Sequence, residues 1–239
     1  MKKRSKAASM LLLIWVLGIF NTFGIQAYGA EASGVFSIKN SIVELLVSKQ
    51  DGRFAVKTVE GSPQRLGDEN AALLFTESIP ETTFTTFRID GKDYIYGNAY
   101  SGLSMEGGFV KAPAADGMKS TSAWKAGDIT VTQKLELTDN IKSSDVGNVK
   151  ISYSITNTGN TDREVGTRIL LDMMLGSNDG SKVSLDGRAD ISYESEVTGK
   201  EIPTYWRCTD SSDNPKVVAY GFIKGWGNTE PDRMTIAHW

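Results

Sequence analysis

The sequence predicts an all-β protein, built as an antiparallel β-sandwich, and three observations lead to this prediction. Apolar and polar residues alternate through several segments, which is the period of a strand with one face in water. Asp-Gly turns and an Asn-rich turn separate these segments. No long amphipathic helix is evident after residue 30, so strands are the elements available to build a core.

Two long strands are predicted in the middle of the chain. In DITVTQKLEL, polar residues occupy one face and the apolar face carries Ile129, Val131, Leu135 and Leu137. In NVKISYSITNTGN, the inward-facing set is Val149, Ile151, Tyr153 and Ile155. Since successive side chains point to opposite sides of a sheet, each strand is expected to bury one face and expose the other.

Turns between strands are predicted at three places. Asp51-Gly52 and Asp90-Gly91 are typical of two-residue hairpins, because a type I′ turn needs positive φ at both central positions. The segment Asn157 to Thr161 is predicted to form a third hairpin. Residues 107–122, GGFVKAPAADGMKSTS, are interpreted as a long exposed loop.

The N-terminus has the layout of a secretory signal peptide. A basic head is followed by an apolar run at 10–20 and then by small residues, with candidate cleavage sites after Gly29, Ala30 or Ala32. We therefore expect residues 1–30 to be a signal peptide and 31–239 a single β-sandwich domain, which could be C-terminally incomplete. The expected location is outside the cytoplasm, in the periplasm, at the cell surface or in the medium. An uncleaved segment would act as a membrane anchor, the one membrane contact that the sequence predicts.

Charge and cysteine content restrict the partners and the compartment. Without the four basic residues of the signal segment, 22 basic residues stand against 29 acidic ones, a formal charge of −7. A mildly acidic domain without a basic cluster argues against nucleic acid as a partner, because that affinity rests on neutralising phosphates. Cys208 is the only cysteine, and it is expected to be a small buried residue, with an intermolecular disulfide as the alternative.

The segment RILLDMMLGSNDG places an acid within an apolar run. Arg168 to Leu175 is predicted to be a central strand buried on both faces, which would bury Asp172. A calcium site would satisfy this carboxylate, because hard cations take six to eight oxygen ligands. The predicted calcium ligands are Asp172, Asn178, Asp179 and Asp186. The alternative is an ordinary Asn178-Asp179-Gly180 turn that bonds its own backbone.

Aromatic residues in the C-terminal third predict a ligand surface. Tyr205 and Trp206 are adjacent, so one would face inwards and the other outwards on a strand, while Trp226 is flanked by glycines. A sugar ring can stack on an exposed aromatic face while nearby polar groups bind its hydroxyls. Tyr205, Trp206 and Trp226 are therefore the candidate carbohydrate-binding residues. The alternative for Trp206 is a core position.

The order of motifs resembles the galactose-mutarotase-like supersandwich found in exported bacterial β-sandwich proteins. The resemblance rests on NTGNTD followed by LDMMLGSNDG, and then on IPTYWRCTD and PDRMTIAHW. It implies a supersandwich-like fold and a carbohydrate-active ancestry. Related enzymes use His and Glu, whereas the only histidine of this chain is His238, the penultimate residue.

Catalysis is the less expected role. A Ser-His-Asp triad would depend on His238, and no G-x-S-x-G is present. Paired carboxylates could come from Glu194, Glu196, Glu201 and Asp210, and Tyr205 with Arg207 would suit a lyase. The sequence therefore favours a non-enzymatic exported module that binds carbohydrate or another cell-surface ligand. The alternatives are an incomplete mutarotase- or lyase-like domain and a structural module of a larger surface protein.

Overall fold

The structure, a computed structural model, describes residues 6–15, 34–60, 67–98, 107–139 and 146–237. The strands in these ranges are β1 (Lys6–Trp15), β2 (Val35–Lys39), β3 (Val43–Ser48), β4 (Phe54–Thr58), β5 (Phe84–Ile89), β6 (Lys92–Ile95), β7 (Gly108–Asp116), β8 (Lys119–Ala126), β9 (Ile129–Asp139), β10 (Val146–Asn157), β11 (Val165–Leu170), β12 (Lys182–Leu185), β13 (Ser195–Thr198), β14 (Tyr205–Thr209), β15 (Val218–Phe222) and β16 (Arg233–Ile236). Two short 3₁₀ turns, Tyr96–Asn98 and Gly199–Glu201, are the helical elements of these ranges. The all-β prediction is confirmed.

The strands form four sheets, and every pairing between named strands is antiparallel. The largest sheet has eight strands in the order β12-β14-β15-β1-β10-β9-β8-β7. Two three-stranded sheets, β2-β3-β4 and β11-β5-β6, contribute to the same hydrophobic core as the large sheet. The remaining pair, β13-β16, contributes half-buried residues at the edge of that core.

Alternation along β9 and β10 sets the core face of the large sheet, as predicted. Ile129, Val131, Leu135 and Leu137 are buried, and so are Val149, Ile151 and Tyr153. Ile155 is half-buried and packs against the same cluster. Across the core, the ring of Phe87 on β5 meets Tyr153 edge-on, with their centroids 5.4 Å apart.

The three predicted turns have different outcomes. Asp90 and Gly91 both have positive φ, at 48° and 83°, and they join β5 to β6 as the predicted two-residue hairpin. Asp51-Gly52 also lies in a hairpin, but the loop between β3 and β4 is longer, because Ser48 bonds Arg53 across it. The hairpin prediction at Asn157 to Thr161 is wrong, because β10 and β11 belong to different sheets and the turn carries the chain between them.

The interpretation of 107–122 as a loop is wrong. The segment forms most of the β7–β8 hairpin at the edge of the large sheet. β7 is mostly exposed and its register shifts twice between Phe109 and Ala114, so its sequence lacks the strict alternation that marks β9. Pro113 is tolerated there because an edge strand has one side without ladder bonds.

The predicted central strand at Arg168 to Leu175 is also corrected. β11 ends at Leu170 and is an edge strand, paired only with β5. Its residues from Gly166 to Arg168 are exposed, so it is not buried on both faces. The apolar residues that follow Leu170 belong to an irregular segment, in which Met173 forms an isolated bridge with Leu74.

Part of the predicted signal segment is a strand in this structure. β1 pairs with β10 over ten residues and with β15 over three, and so lies between them. The candidate cleavage sites lie outside the described residues. Among the residues described, no helix is long and apolar enough to cross a membrane. The signal peptide and the boundary after residue 30 therefore remain predictions.

Candidate functional site

Alternation along β14 and β15 builds the candidate site on the face of the large sheet that points away from the core. Trp206 and Cys208 on β14 point inwards and are buried, as are their partners Gly221 and Ala219 on β15. Because neighbouring residues point to opposite sides, the outward set consists of half-buried Tyr205, Arg207, Tyr220 and Phe222. Three aromatic rings and one guanidinium thus share one surface.

The aromatic rings form a continuous row. The ring centroids are 5.9 Å apart for Tyr220 and Tyr205, 6.0 Å for Tyr205 and Phe222, and 6.0 Å for Phe222 and Trp226. All three pairs are tilted, an arrangement in which aromatic pairs stabilise each other. We call Tyr205, Tyr220, Phe222 and Trp226 the aromatic row.

Trp226 is the most exposed member of the row, with 73% of its surface accessible. It lies in a tight loop in which Gly225, Trp226 and Gly227 have φ of 75°, 56° and 79°. A bulky residue at positive φ costs about 1–2 kcal/mol, which surrounding contacts must offset. The loop is held by Asn228, whose backbone N–H donates to the Gly225 carbonyl and whose Nδ2 donates to the Phe222 carbonyl at 2.9 Å.

Two transverse lines of residues cross the site. In the first, Arg207 stands opposite Ser184 of β12 on one side and opposite Tyr220 on the other. In the second, Tyr205 stands opposite Phe222, and its other neighbour is Asp186, just beyond β12. Cross-strand neighbours have Cβ atoms about 5 Å apart, so a hydroxyl, a guanidinium and a carboxylate all adjoin the rings.

Asp186 has a defined structural role in this site. Its Oδ1 accepts hydrogen bonds from the backbone N–H groups of Thr204 at 2.8 Å and Tyr205 at 3.2 Å. Its own φ is 50°, which directs the chain into the turn at Gly187. A β-carbon at Gly187 would lie 3.2 Å from the Tyr205 hydroxyl, so the missing side chain leaves room for that ring. Asp186 therefore fixes the start of β14, where the aromatic row begins.

The structure brings together two of the three predicted carbohydrate-binding residues. Tyr205 and Trp226 belong to the aromatic row. Trp206 instead points into the core and is 6% exposed, so it follows the core alternative. Tyr220 and Phe222 were missed, because only the pairing of β14 with β15 shows that they stand beside Tyr205.

The four predicted calcium ligands have separate surroundings. Asp172 is half-buried; its backbone N–H donates to the Thr83 hydroxyl at 3.2 Å, and its carbonyl accepts the Phe75 N–H at 2.8 Å. Asp179 is exposed, and Asp186 bonds the start of β14. Within the described ranges, no three His, Cys, Asp or Glu side chains gather as metal ligands would. Calcium remains a prediction to be tested.

The Asn178 turn has the hydrogen bonds of an ordinary turn that bonds its own backbone, which was the alternative to a calcium site. Asn178 Oδ1 accepts the Gly180 N–H at 3.0 Å, which closes an Asx turn. Its Nδ2 donates to the Asp210 carbonyl at 2.9 Å, which ties the turn to the loop between β14 and β15. Asn178 thus organises the loop through its own amide.

The structure also shows the surroundings of the acids considered for catalysis. Glu194 is exposed, and Glu196 accepts from Arg233 at 3.4 Å on the two-stranded sheet. Asp210 caps a loop, since its Oδ1 accepts the N–H groups of Lys216 and Val217 at 3.0 and 3.2 Å. His238 lies outside the described residues. Tyr205 and Arg207 point to the same face of β14.

A buried chain of polar side chains crosses the core, and it too was missed from the sequence. The Tyr96 hydroxyl bonds Ser122 Oγ at 2.8 Å, Ser122 donates to Gln133 Oε1 at 3.5 Å, Gln133 Nε2 donates to the Tyr153 hydroxyl at 2.9 Å, and Tyr153 bonds Thr85 at 2.6 Å. Burial raises the pKa of Tyr153 to about 12 and raises the pKa of Tyr96 as well. The sequence signal was Gln133, a polar residue in the middle of the apolar face of β9.

These polar groups satisfy one another, so the chain acts as a structural network. A narrow cleft beside Asp51 and Arg53 reaches its Gln133 and Tyr153 members. Arg53 lies 3.7 Å from the Asp51 carboxylate and 5.6 Å from the ring centre of Phe84, so it is already engaged. The aromatic row is therefore the better candidate for a ligand site.

Comparison with protein families, with curated proteins and with solved structures finds no match to this chain. The resemblance to the mutarotase-like supersandwich therefore remains a prediction, and the function must be argued from the site itself.

Proposed function

We propose that this protein is an exported, non-enzymatic β-sandwich that binds carbohydrate through the aromatic row. The observation that carries the proposal is Trp226, a large aromatic side chain held 73% exposed at positive φ. Backbone strain of this kind persists where the surrounding structure imposes it, and it clusters at ligand sites. Asn228, which follows the loop, imposes it here by bonding the Phe222 and Gly225 carbonyls that precede Trp226.

The chemistry of the row favours a sugar over a purely apolar partner. Rings present flat apolar faces to the C–H face of a sugar, while hydroxyl and charged groups bind its hydroxyls. Tyr205 and Tyr220 each carry a phenol, and Asp186 and Arg207 adjoin them. Successive rings about 6 Å apart offer several stacking positions on one surface, so more than one sugar unit of a glycan could be bound.

The proposal is tested by affinity electrophoresis of the full chain through gels that contain a panel of polysaccharides. We expect at least one glycan to slow the wild type, and Trp226→Ala to lose that retardation while remaining folded by circular dichroism. Tyr193→Ala is the matched control, because Tyr193 is 71% exposed and shows no ring contact with the row in the part of the chain described.

Uniform mobility of folded wild type across the panel would overturn the binding proposal and favour a structural module. Turnover of a glycan, abolished by changing Tyr205 to Phe, would instead favour the lyase-like alternative, because Tyr205 and Arg207 share one face of β14. Binding of a glycan without turnover would identify a binding module and would distinguish it from both the structural module and the lyase-like enzyme.

A further inference from the structure

We propose that the aromatic row binds an acidic polysaccharide, whose uronic carboxylates are bound by the guanidinium of Arg207. This inference rests on the proposed carbohydrate function and names the class of glycan. It follows from the position of Arg207 in the sheet, from the lack of a carboxylate within ion-pair distance among the described residues, and from the groups around it.

Arg207 stands beside the Tyr220 end of the aromatic row. It is the direct cross-strand partner of Tyr220, and it follows Tyr205 by two residues on the same face of β14. Its neighbours on this face therefore lie within about 5–8 Å. A sugar ring stacked on Tyr205 or Tyr220 would place its ring substituents within reach of the guanidinium.

Arg207 is half-buried, and among the described residues it has no carboxylate partner. In the part of the chain that the structure describes, no acidic oxygen lies within ion-pair distance of it. By contrast, Arg88 and Arg163 bond Asp93 and Asp90 at 2.7 Å. A partly desolvated charge gains free energy from a counter-charge, and a guanidinium matches a carboxylate with two parallel N–H donors.

The nearest acid of the site is engaged elsewhere. Asp186 directs Oδ1 to two backbone N–H groups, and its Oδ2 lies 3.9 Å from Arg188. Its charge is therefore shared with these two donors and with Arg188. The Ser184 hydroxyl, on the other side of Arg207, is neutral. The guanidinium of Arg207 thus lies beside aromatic rings and the buried, neutral Ser184, while the Asp186–Arg188 pair lies on the other side of Tyr205.

The net charge of the chain does not oppose this assignment at ordinary salt. The formal charge is −3 for the whole chain. At about 0.1 M salt, exposed charges more than roughly 10 Å apart are largely screened, so the local guanidinium decides the contact. Charge-assisted hydrogen bonds are worth about tenfold or more in affinity.

The test compares each acidic glycan with its own neutral form. Polygalacturonate, alginate and hyaluronan are each tested beside their carboxyl-reduced counterparts, with full-length protein at about 0.1 M salt. We expect at least one acidic chain to bind about tenfold more tightly than its reduced form. Arg207→Ala should remove this difference by weakening the acidic form more than the reduced form, because the guanidinium bonds a carboxylate more strongly than a hydroxyl. Arg207→Lys should retain part of the difference because the charge remains.

Arg168→Ala is the matched control. Arg168 is an exposed arginine on β11, in another sheet, and its loss should change neither affinity. Trp226→Ala should weaken acidic and reduced forms alike, because stacking does not depend on the carboxylate. Thermal unfolding of each variant confirms that the comparison is made on folded protein.

Three outcomes would overturn the inference, and they are distinguishable. Equal binding of acidic and reduced forms, or an Arg207→Ala variant that keeps the preference, would reject the role of Arg207 and leave carbohydrate binding standing. Binding of dextran sulfate over dextran, without binding of any uronate, would reject the carboxylate assignment. No binding of any glycan by folded protein would reject the carbohydrate proposal and this inference together.

Discussion

The indole of Trp206 occupies the space next to the α-carbon of Gly221, its cross-strand partner, so a β-carbon at position 221 would overlap the ring. Alternation along β14 turns Trp206 inwards and Tyr205 outwards, and the missing side chain at Gly221 leaves room for the buried indole. The contact explains why β15 has a glycine at position 221, since a side chain there would displace Trp206, the largest core residue of β14. The core face and the aromatic row are thus two sides of the same strand pair.

Gly221→Ala is expected to destabilise the protein by about 1–3 kcal/mol, because the added methyl group overpacks the core against Trp206. Urea unfolding followed by tryptophan fluorescence measures the effect. Gly166→Ala is the control, because a β-carbon there meets only the Arg88 β-carbon, at 3.9 Å, within another strand. Equal stability of the Gly221→Ala variant and wild type would show that the indole has another position available.

Trp226→Asn is expected to keep or raise the free energy of unfolding, by up to about 1 kcal/mol, while it abolishes glycan retention. Asn tolerates the left-handed conformation better than Trp, and the exposed indole contributes little burial. Chemical denaturation and affinity electrophoresis are measured on the same preparation. A large loss of stability would mean that the indole serves packing against Phe222 and not a ligand.

Stability is expected to fall with rising pH between about pH 10 and pH 12. Burial raises the pKa of Tyr153 to about 12, whereas tyrosine in the unfolded chain titrates near 10. Below pH 10 both states keep the proton, so stabilisation is complete there. Above it the unfolded chain loses the proton first, which favours unfolding. The pKa of buried Cys208 is also raised to about 12, and it acts in the same direction.

Urea unfolding of wild type at about pH 8 and about pH 11 measures this dependence. Tyr153→Phe should reduce its slope. The variant should also lose about 1–3 kcal/mol at neutral pH, because Gln133 and Thr85 are left without their shared partner. A pH-independent stability in wild type would mean that the network ionises while folded.

Asn178→Ala is expected to lower the free energy of unfolding by about 1–2 kcal/mol, because it removes the acceptor that closes the Asx turn and the donor that joins this turn to the β14–β15 loop. Asp179→Ala should change it by less than about 0.5 kcal/mol, since Asp179 is exposed. Thermal unfolding with and without chelator accompanies both. A chelator-induced fall in Tm that Asp179→Ala abolishes would reverse this order and establish the calcium site.

Local signals in the sequence were sufficient for the elements whose geometry is local. Asp90-Gly91 forms its two-residue turn because both residues tolerate positive φ without help from the rest of the fold. The alternation of apolar and polar residues along β9 and β10 predicted their buried faces, because both strands lie within the large sheet. β7 was missed because an exposed edge strand with shifted register has no alternation to read.

The candidate site was predictable only in part, because its members meet through pairing of distant segments. Trp226 could be found from its flanking glycines, and Tyr205 from alternation with Trp206. Tyr220 and Phe222 join them through the register of β14 against β15, which no local pattern specifies. The predicted central strand around Asp172 was wrong for a similar reason, since an apolar run can form an irregular segment as well as a buried strand.

Strand β1 has a topological consequence. β10 and β15 are not neighbours in the large sheet, and among the described residues only Lys6–Trp15 joins them. Cleavage at the predicted sites would divide the sheet into β12-β14-β15 and β10-β9-β8-β7, each with a newly open edge. The aromatic row spans β14, β15 and the loop after β15, so it would stay whole on the smaller part. Precursor and processed chain would then differ in their hydrogen-bonded connectivity, and without the N-terminal segment the two parts would be held together by the shared core and no longer by a continuous sheet.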